Sequence, residues 1–255
     1  VAKNYDFDVI HAHDWLTYSA GMIAKQLSGK PLIVHVHATE YDRGGEYNRN
    51  TLVYDIEKRG MEAADVVVTV SNWTRNIVIE KYGIAPEKVI TVHNAVDFKT
   101  DAVEKEERGI KDKIVTFLGR ITLQKGPEYF VEAAAKVLKR VPNVRFVMAG
   151  SGEKMNPLVR RVAQLGLGTR FHFTGFLRGN DVQRMFRYSD VYVMPSVSEP
   201  FGISPLEAMR SGVPTIISKQ SGVAEVLDHA IKVDYWDIDA LADAIYGVLT
   251  YPALS

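Results

Sequence analysis

The sequence contains no cysteine, no long hydrophobic run and no excess of charge of either sign. The absence of cysteine excludes disulfides, thiolate nucleophiles and cysteine-bound zinc, so any chemistry must use other side chains. No apolar run approaches the ~18 residues that a bilayer-spanning helix needs, and no signal-peptide pattern opens the sequence. Because a cysteine-free composition fits a reducing compartment, we expect a cytoplasmic protein without a transmembrane segment.

The equal numbers of basic and acidic residues limit the kinds of partner that the protein is expected to bind. Among 255 residues, 31 Lys and Arg balance 31 Asp and Glu, and 46% of the residues are hydrophobic. The chain is therefore rich enough in apolar residues to build real cores. It lacks both the net positive field and the basic and aromatic stripe that nucleic-acid binding favours. We expect a globular protein with small ligands and no nucleic-acid partner.

Short β-branched runs alternate with longer segments of helical period, a pattern typical of β-α-β units around a parallel sheet. Runs such as 66–70 and 144–148 are too short and too β-branched for helices, and they suit strands buried on both faces. The pattern thus predicts an α/β fold. Its predicted strands are 7–11, 32–36, 65–70, 89–92, 113–119, 144–149, 171–174, 191–194 and 214–218.

A charged stretch with little apolar content, 101–112, interrupts this alternation and predicts a linker between two domains, 1–100 and 113–255. A solvated charged helix on one domain is the alternative interpretation. The chain opens on Val1 and enters a predicted strand almost at once. We therefore expect a first domain that is incomplete at its N-terminus.

The most informative segment, 199–209, directly follows a predicted strand and carries Glu199 and Glu207 on either side of a turn. Ser204 with Pro205 marks a helix start, so backbone N–H groups of 202–206 would face a phosphate or a sugar oxygen. The alternative is a capping box, in which Glu207 only bonds the backbone of Ser204.

A second segment, 117–126, leaves another predicted strand through a turn that carries Arg120 and Lys125. Two cations at this spacing can converge on one diphosphate, with Arg as a planar fork and Lys as a point charge. The pair Gly150 and Gly152, after the strand at 144–149, fits a further phosphate turn or merely a tight strand-to-helix connection.

Four of the seven histidines form two pairs, His11 with His13 and His35 with His37. In an extended segment each pair lies on one face, and together with Asp14 the pairs suit a divalent metal. A metal-dependent hydrolase is therefore one alternative function. Strand-end histidines satisfied by hydrogen bonds are the other interpretation of His11 and His35. Further along, residues 43–45 predict a flexible loop rim.

Taken in order, these segments resemble the retaining glycosyltransferases of family 4, a group that also resembles glycogen and starch synthases. The agreement runs over nearly the whole chain, which argues against chance. It covers residues 8–15, the His37 loop, 64–71, 92–97, 119–126, 195–196 and 199–209.

The resemblance implies two Rossmann-like domains facing across a cleft, the GT-B type, with a nucleotide-sugar donor held mainly by the second. Arg120 and Lys125 would stabilise the diphosphate leaving group, Glu207 would hold the ribose and Glu199 the donor sugar. The donor-binding residues expected in this way are Gly119, Arg120, Lys125, Gly150, Gly152, Glu199, Phe201, Gly202, Ile203, Ser204 and Glu207.

By the same resemblance, His37 would contact the donor sugar near the reacting carbon, and Asp14 would lie on the acceptor side. These two residues, with Arg120, Lys125 and Glu199, form the expected catalytic set. The implied reaction retains the anomeric configuration through front-side attack, without a metal or another cofactor. Glucose from an ADP or UDP donor, passed to a glucan or a small glycoside, is the transfer that the resemblance favours.

Two features depart from the family pattern. Family members begin with further strands and a glycine-rich loop that contacts the donor phosphate, and nothing before Val1 supplies them. We therefore expect nucleotide binding with poor turnover. In addition, Ser221 and Gly222 stand where storage-glucan synthases tend to carry a double-glycine turn, which argues against a strict glycogen synthase. A sugar-nucleotide epimerase or a non-catalytic binder of the same architecture would explain the phosphate turns equally well.

Overall fold

The computed structural model describes residues 4–97 and 108–251. The chain divides between Asn94 and Ala95 into two compact units. Both units are α/β, as the alternating pattern of the sequence predicts. None of the helices in the described ranges combines the length and the hydropathy that crossing a bilayer requires.

The first unit is built on a parallel sheet with the strand order β1-β2-β3-β4. The strands are β1 (Ile10–His13), β2 (Leu32–Val36), β3 (Val66–Thr69) and β4 (Val89–Thr91). The helices are α1 (Trp15–Ser28), α2 (Glu40–Gly44), α3 (Thr51–Ala63) and α4 (Asn72–Tyr82). Fully buried strand residues such as Val34 and Val67 form one core with Tyr18 of α1 and Met61 of α3.

Close packing of α1 on α3 depends on Gly60. A Cβ at this position would lie 2.7 Å from the Cβ of Tyr18 and would also meet its ring, which is closer than side-chain atoms normally approach. Tyr18 is 1% exposed, and its hydroxyl donates to the carbonyl of His35 at 3.2 Å. A glycine inside a helix lowers helix propensity, and here its small size admits a large buried ring.

The first strand begins later than the sequence predicts. The prediction was 7–11, whereas β1 starts at Ile10, whose N–H donates to the carbonyl of Pro31 at 2.9 Å. From there the register pairs Ile10 with Leu32 and His13 with His35. The apolar residues that suggested an earlier start precede the ladder. Consequently both His11 and His13 belong to the strand.

The second unit is a parallel sheet with the strand order β10-β9-β8-β5-β6-β7. The strands are β5 (Lys113–Leu118), β6 (Val144–Ala149), β7 (Phe171–Gly175), β8 (Val191–Met194), β9 (Thr215–Ser218) and β10 (Ile231–Val233). The helices are α5 (Pro127–Leu138), α6 (Met155–Gln164), α7 (Asn180–Tyr188), α8 (Ser204–Arg210) and α9 (Ile238–Thr250). Strands β5 and β8 are neighbours although β6 and β7 intervene in sequence, so the direction of strand order reverses between them.

The edge strand β10 is absent from the sequence prediction. It is only three residues long, and Lys232 interrupts its apolar residues, so no buried-strand pattern marks it. Pairing with β9 nevertheless forms, with Ile231 opposite Ile216.

The predicted linker 101–112 lies partly outside the described residues, of which Arg108 is the first in this segment. The Arg108 guanidinium pairs with the carboxylate of Asp190 and donates to the carbonyl of Tyr188 at 2.8 Å. Asp112 accepts from Arg145 at 2.8 Å and from Arg170 at 2.9 Å. These ion pairs fasten the described end of the segment to the second unit.

Candidate functional site

In the second unit, the predicted cationic turn follows β5. Arg120 is exposed, and one of its nitrogens donates to the side-chain oxygen of Gln124 at 3.2 Å. A 3-10 turn, Leu123–Lys125, leads to Gly126, whose φ of 61° lies in the left-handed region. A Cβ on Gly126 would overlap the carbonyl oxygen of Pro195. Glycine is therefore required where this turn contacts the segment after β8.

That contact brings Lys125 to Glu199. The ammonium of Lys125 pairs with the carboxylate of Glu199, which also accepts from the hydroxyl of Ser196 at 3.1 Å. Both partners are largely shielded, with side-chain exposures of 20% for Lys125 and 7% for Glu199. The backbone of Glu199 is held as well, by an isolated parallel bridge to Ser221. Two residues predicted from separate motifs thus form one buried ion pair.

The helix after this segment differs from the predicted capping box. Helix α8 begins at Ser204 with Ile203 in the capping position, and no side chain caps it. The Ser204 hydroxyl instead lies 2.8 Å from the hydroxyl of Tyr192, to which it is hydrogen-bonded. Burial raises the pKa of Tyr192, against the effect of this bond. The capping-box interpretation of Glu207 is therefore wrong.

Without that bond, the carboxylate of Glu207 has no hydrogen-bond partner among the residues that the structure describes. The N–H groups of Gly202, Ile203 and Ser204 likewise have no acceptor within the described ranges. Gly202 has a φ of 96°, and Phe201 before it is 2% exposed. This segment therefore presents polar groups that a ligand can satisfy.

The glycines after β6 pack against the cationic turn. A Cβ on Gly150, whose φ is 143°, would overlap the carbonyl oxygen of Gly119. A Cβ on Gly152 would similarly overlap the backbone of Ile121. The N–H of Ile121 donates to the carbonyl of Ser151 at 2.9 Å. Both glycines thus permit close approach of two backbone turns, whether or not a phosphate also binds there.

A cavity of about 600 Å³ opens at the carboxyl ends of these strands, beside the point where the strand order reverses. Ligands of open α/β sheets occupy such positions. The cavity brings together Gly119, Arg120, Gly150 and Glu207 from the predicted set. The other predicted donor residues, Lys125, Gly152, Glu199 and 201–204, are not part of its lining.

Sequence reasoning missed much of the cavity wall. The additional lining residues come from the end of β5, the turn after β6, the loop after β7, α7 and the end of α8. They are Leu118, Ser151, Phe176, Leu177, Gly179, Val182, Gln183, Phe186, Arg210 and Ser211. The available signal was Gly179 followed by Asn180, a turn pair that precedes a helix at the carboxyl end of a parallel strand.

In the first unit, Asp14 and His37 are directly connected. One carboxylate oxygen of Asp14 accepts from the backbone N–H of His37 at 2.8 Å and from that of Ala38 at 3.4 Å. Asp14 has a φ of 57°, the only positive φ of a non-glycine residue in the described ranges. The strained aspartate therefore holds the start of the His37 loop.

The four predicted histidines form one stack, with three on β1 and β2 and His37 directly after β2. Ring centroids of neighbouring members lie 4.3–5.4 Å apart, and Nδ1 of His13 is 2.9 Å from Nε2 of His37. Burial, with the neighbouring charges of His37, His13 and His11, lowers the pKa of His35 to about 4. At neutral pH His35 is thus uncharged.

The loop after His37 is not the flexible rim that 43–45 predict. Arg43 and Gly44 lie in α2, and Arg43 bonds the carboxylates of Glu40 and Glu57. Glu57, 2% exposed, also accepts from the hydroxyl of Tyr82. Burial raises the pKa of Glu57 against these bonds. This buried network fixes the backbone that follows His37.

Comparisons with known proteins agree with this description. Residues 98–254 match the family described as glycosyl transferases group 1, and residues 1–100 match glycosyltransferase family 4. An uncharacterized glycosyltransferase of Methanocaldococcus jannaschii is 34% identical over 239 residues, which are 89% of this chain and 61% of that protein. The chain thus spans about three fifths of the length of this relative.

Solved structures share the fold. Sucrose-phosphate synthase from Thermosynechococcus elongatus has a TM-score of 0.85 at 23% identity, over 99% of this chain and 67% of that one. Anabaena HepE in complex with UDP-glucose has a TM-score of 0.79 at 21% identity, over 97% and 70% of the two chains. The predicted α/β fold class of two Rossmann-like units, GT-B, is confirmed. The chain belongs to the glycosyl transferases group 1, and its first 100 residues match glycosyltransferase family 4.

Proposed function

We propose that this chain belongs to a retaining glycosyltransferase that moves glucose from a nucleoside-diphosphate sugar to a glucan or another glycoside. One observation carries the proposal. A cavity beside the strand-order reversal of the second unit joins the Arg120 guanidinium, the Glu207 carboxylate and two glycine turns. Family membership and a structural neighbour bound to UDP-glucose support the same ligand class.

The diphosphate binds, in this proposal, beside Arg120. The guanidinium is exposed and supplies several donors in a fixed fork, which suits phosphate oxygens. The glycine turns at Gly119 and Gly150 carry no side chains, so a phosphate can approach their backbone closely. Departing diphosphate carries the charge that develops during sugar transfer, and a placed cation stabilises it.

The nucleoside occupies the rest of the cavity. The free carboxylate of Glu207 accepts from ribose hydroxyls, each of which donates one hydrogen bond. Leu177, Val182 and Phe186 provide an apolar wall against which a base packs. The volume of about 600 Å³ lies within the range of small-molecule sites.

Glu199 and Lys125 act at the sugar end of the donor. Glu199 retains acceptor capacity beyond its bonds to Lys125 and Ser196, so it can hold a sugar hydroxyl. Lys125 exchanges part of its pairing with Glu199 for a phosphate oxygen when the donor binds. The backbone N–H groups of 202–204 complete the donor contacts.

The reaction requires stabilisation of the leaving diphosphate and positioning of an acceptor hydroxyl, and a protein nucleophile is not obligatory. Front-side attack, with the leaving phosphate accepting the acceptor proton, retains the anomeric configuration. His37 contacts the donor sugar, as the family resemblance implies. The bond from Asp14 to the His37 backbone supports a positioning role for Asp14 in addition to its expected place on the acceptor side.

Calorimetric titration of the 255-residue chain with UDP, ADP and GDP tests the donor site. We expect one nucleotide to bind and Arg120→Ala and Glu207→Gln each to weaken it by roughly tenfold or more. The matched controls are Arg160→Ala and Glu153→Gln, which change exposed residues outside the cavity and leave affinity unchanged. Equal affinity of Arg120→Ala and Arg160→Ala contradicts the assignment.

Transfer is tested separately from binding. Incubation with the matching NDP-glucose and an oligoglucan should release nucleoside diphosphate and extend the acceptor in equal amounts. Binding without either product favours a non-catalytic binder. Conversion of the donor to an isomeric nucleotide sugar, with no free diphosphate, favours an epimerase.

A further inference from the structure

We propose that His11, His13 and His35 form a binding site for a divalent transition-metal ion of the Zn²⁺ class, with His37 as the outer hydrogen-bond partner of His13. The site lies wholly in the first unit. It is independent of the donor cavity and does not depend on the proposed transfer reaction.

The placement follows from the strand register. β1 and β2 run parallel with His13 opposite His35, and alternate residues of a strand share one face. His11 and His13 therefore lie on the same face as His35. One potential ligand nitrogen from each of these three rings lies within 4.8 Å of the other two. The three imidazoles can therefore form a metal site without a ligand from any other residue.

His35 supplies the strongest reason for a ligand. Both of its ring nitrogens are buried and have no hydrogen-bond partner among the described residues. An unsatisfied buried polar atom costs about 1–3 kcal/mol, so native proteins rarely retain one without a role. A metal ion satisfies such a nitrogen through its lone pair.

Modest side-chain movement completes the geometry. Zinc-to-nitrogen distances of about 2.0–2.1 Å place tetrahedral ligand atoms roughly 3.3 Å apart. The three nitrogens, all within 4.8 Å, need to move by about 1 Å or slightly more. His11 and His13 are exposed, so their rings can make this adjustment while His35 stays in place.

The hydrogen-bond partner that would orient His13 is already in place. A metal-bound histidine donates its other ring N–H to a neighbouring acceptor, which fixes its tautomer. Nδ1 of His13 is engaged with Nε2 of His37 at 2.9 Å, which leaves Nε2 of His13 for the metal. Metal binding would thus place the proton on Nδ1 of His13 and fix the tautomer of His37 as well.

The ligand set selects the class of ion. Imidazole nitrogens suit Zn²⁺, Co²⁺, Ni²⁺ and Cu²⁺, whereas Mg²⁺ and Ca²⁺ prefer oxygen ligands. The Asp14 carboxylate, directly after β1, is already bonded to the backbone of His37. We therefore expect the site to discriminate against Mg²⁺.

The test uses the untagged 255-residue chain, titrated with ZnCl₂ by calorimetry and with CoCl₂ by visible absorption. We expect one ion per chain, no binding of MgCl₂ at the same concentration, and an affinity loss of at least about tenfold in His11→Ala and in His13→Ala. His229→Ala is the matched control, because His229 is exposed in the second unit and should leave affinity unchanged. These exposed positions avoid the folding risk of changing His35.

A stability measurement excludes non-specific binding. Zinc that binds the native state should raise the unfolding temperature of the wild-type chain and of His229→Ala, but not of the double variant His11→Ala/His13→Ala. Absence of binding by the wild-type chain overturns the proposal. Equal zinc affinity, or an equal rise in unfolding temperature, in wild type and the double variant does so too.

Discussion

The carboxylate of Asp14 accepts a hydrogen bond of 2.8 Å from the backbone N–H of His37, across the carboxyl ends of β1 and β2. Asp14 makes this bond at φ 57° and ψ 168°, a conformation that non-glycine residues rarely adopt. The strain amounts to about 1–3 kcal/mol, and the surrounding structure must offset it. Such a strained conformation at a strand end indicates that the placement of the Asp14 carboxylate outweighs the local preference of the backbone.

Substitutions of Asp14 separate the carboxylate from the strained backbone. Asp14→Ala should destabilise the chain by about 1.5–3 kcal/mol, because it removes a charged acceptor from two N–H groups. Asp14→Gly loses the same bonds but relieves the strain, so it should be less destabilised than Asp14→Ala by about 1 kcal/mol. Urea unfolding measures both values.

Amide hydrogen exchange provides the local check on Asp14. The amides of His37 and Ala38 should exchange faster in both variants, while Asp14→Asn, which keeps an acceptor oxygen, should retain part of the protection. Unchanged exchange at His37 in Asp14→Ala would show that another group holds this loop.

The histidine stack predicts a pH dependence of stability. His35 has a folded pKa of about 4, because burial and then the charges of His37, His13 and His11 disfavour its protonation. Its unfolded pKa is near 6.5, so between these values the unfolded state binds more protons and stability rises with pH. The contribution is complete above about pH 6.5 and is lost as the pH falls towards 4.

Urea unfolding without added metal at pH 7.5, 6.0 and 5.0 measures this dependence. We expect the fall in unfolding free energy between pH 7.5 and 5.0 to be smaller in His35→Gln than in wild type. Titration of the Arg108–Asp190 pair does not contribute to the pH dependence of stability in this range. Burial opposes ionisation of Asp190, but the bond from Arg108 and other contacts lower its pKa below 3.8, outside this window. Equal slopes in both proteins would contradict the assignment to His35.

The sequence predicted the sheet strands well wherever β-branched runs are buried on both faces, as at β3 and β9. It failed at β1, where the first ladder contact and not hydrophobicity decides the start, and at β10, which is too short to show a pattern. Hydrophobic periodicity could not predict the order of the strands within the sheet. The neighbouring position of β5 and β8 arises from long-range pairing that no local signal encodes.

The sequence allowed the residue types of the site to be predicted, but not which side chains pair with one another. Arg120 and the two glycine turns follow strand ends, where parallel sheets collect ligands, and Glu207 lies in the first turn of the helix after β8. The ion pair of Lys125 with Glu199 joins residues 74 positions apart and was not foreseen. The cavity wall that α7 forms was not predicted either, because its apolar residues have the same helical spacing as ordinary core residues.

The Lys125–Glu199 pair predicts unequal effects of substituting its two members. Lys125→Met should destabilise the second unit by about 2–4 kcal/mol, because it leaves the Glu199 carboxylate, 7% exposed, without its cation. Glu199→Gln keeps an acceptor for Ser196 and leaves Lys125 able to reach solvent, so the loss should be smaller. Urea unfolding compares the two variants.

Lys219→Met is the control for charge loss alone. Lys219 pairs with Asp234 at 2.8 Å, but its side chain is 53% exposed, so its removal should change stability by less than about 1 kcal/mol. If Lys125→Met were no more destabilising than Lys219→Met, the buried pair would not contribute to the fold.

Gly150 predicts a steric limit on the wall of the donor cavity. Gly150→Ala would drive a methyl group into the carbonyl oxygen of Gly119 at a φ of 143°, so the turn after β5 must shift together with Arg120. We expect a stability loss above about 2 kcal/mol and weaker nucleotide binding. Gly168→Ala is the matched control, since a Cβ there has no atom within 4 Å and no positive φ to oppose it. Thermal unfolding and nucleotide titration of both variants decide the matter: wild-type affinity in a folded Gly150→Ala protein would mean that the two glycine turns do not hold the donor.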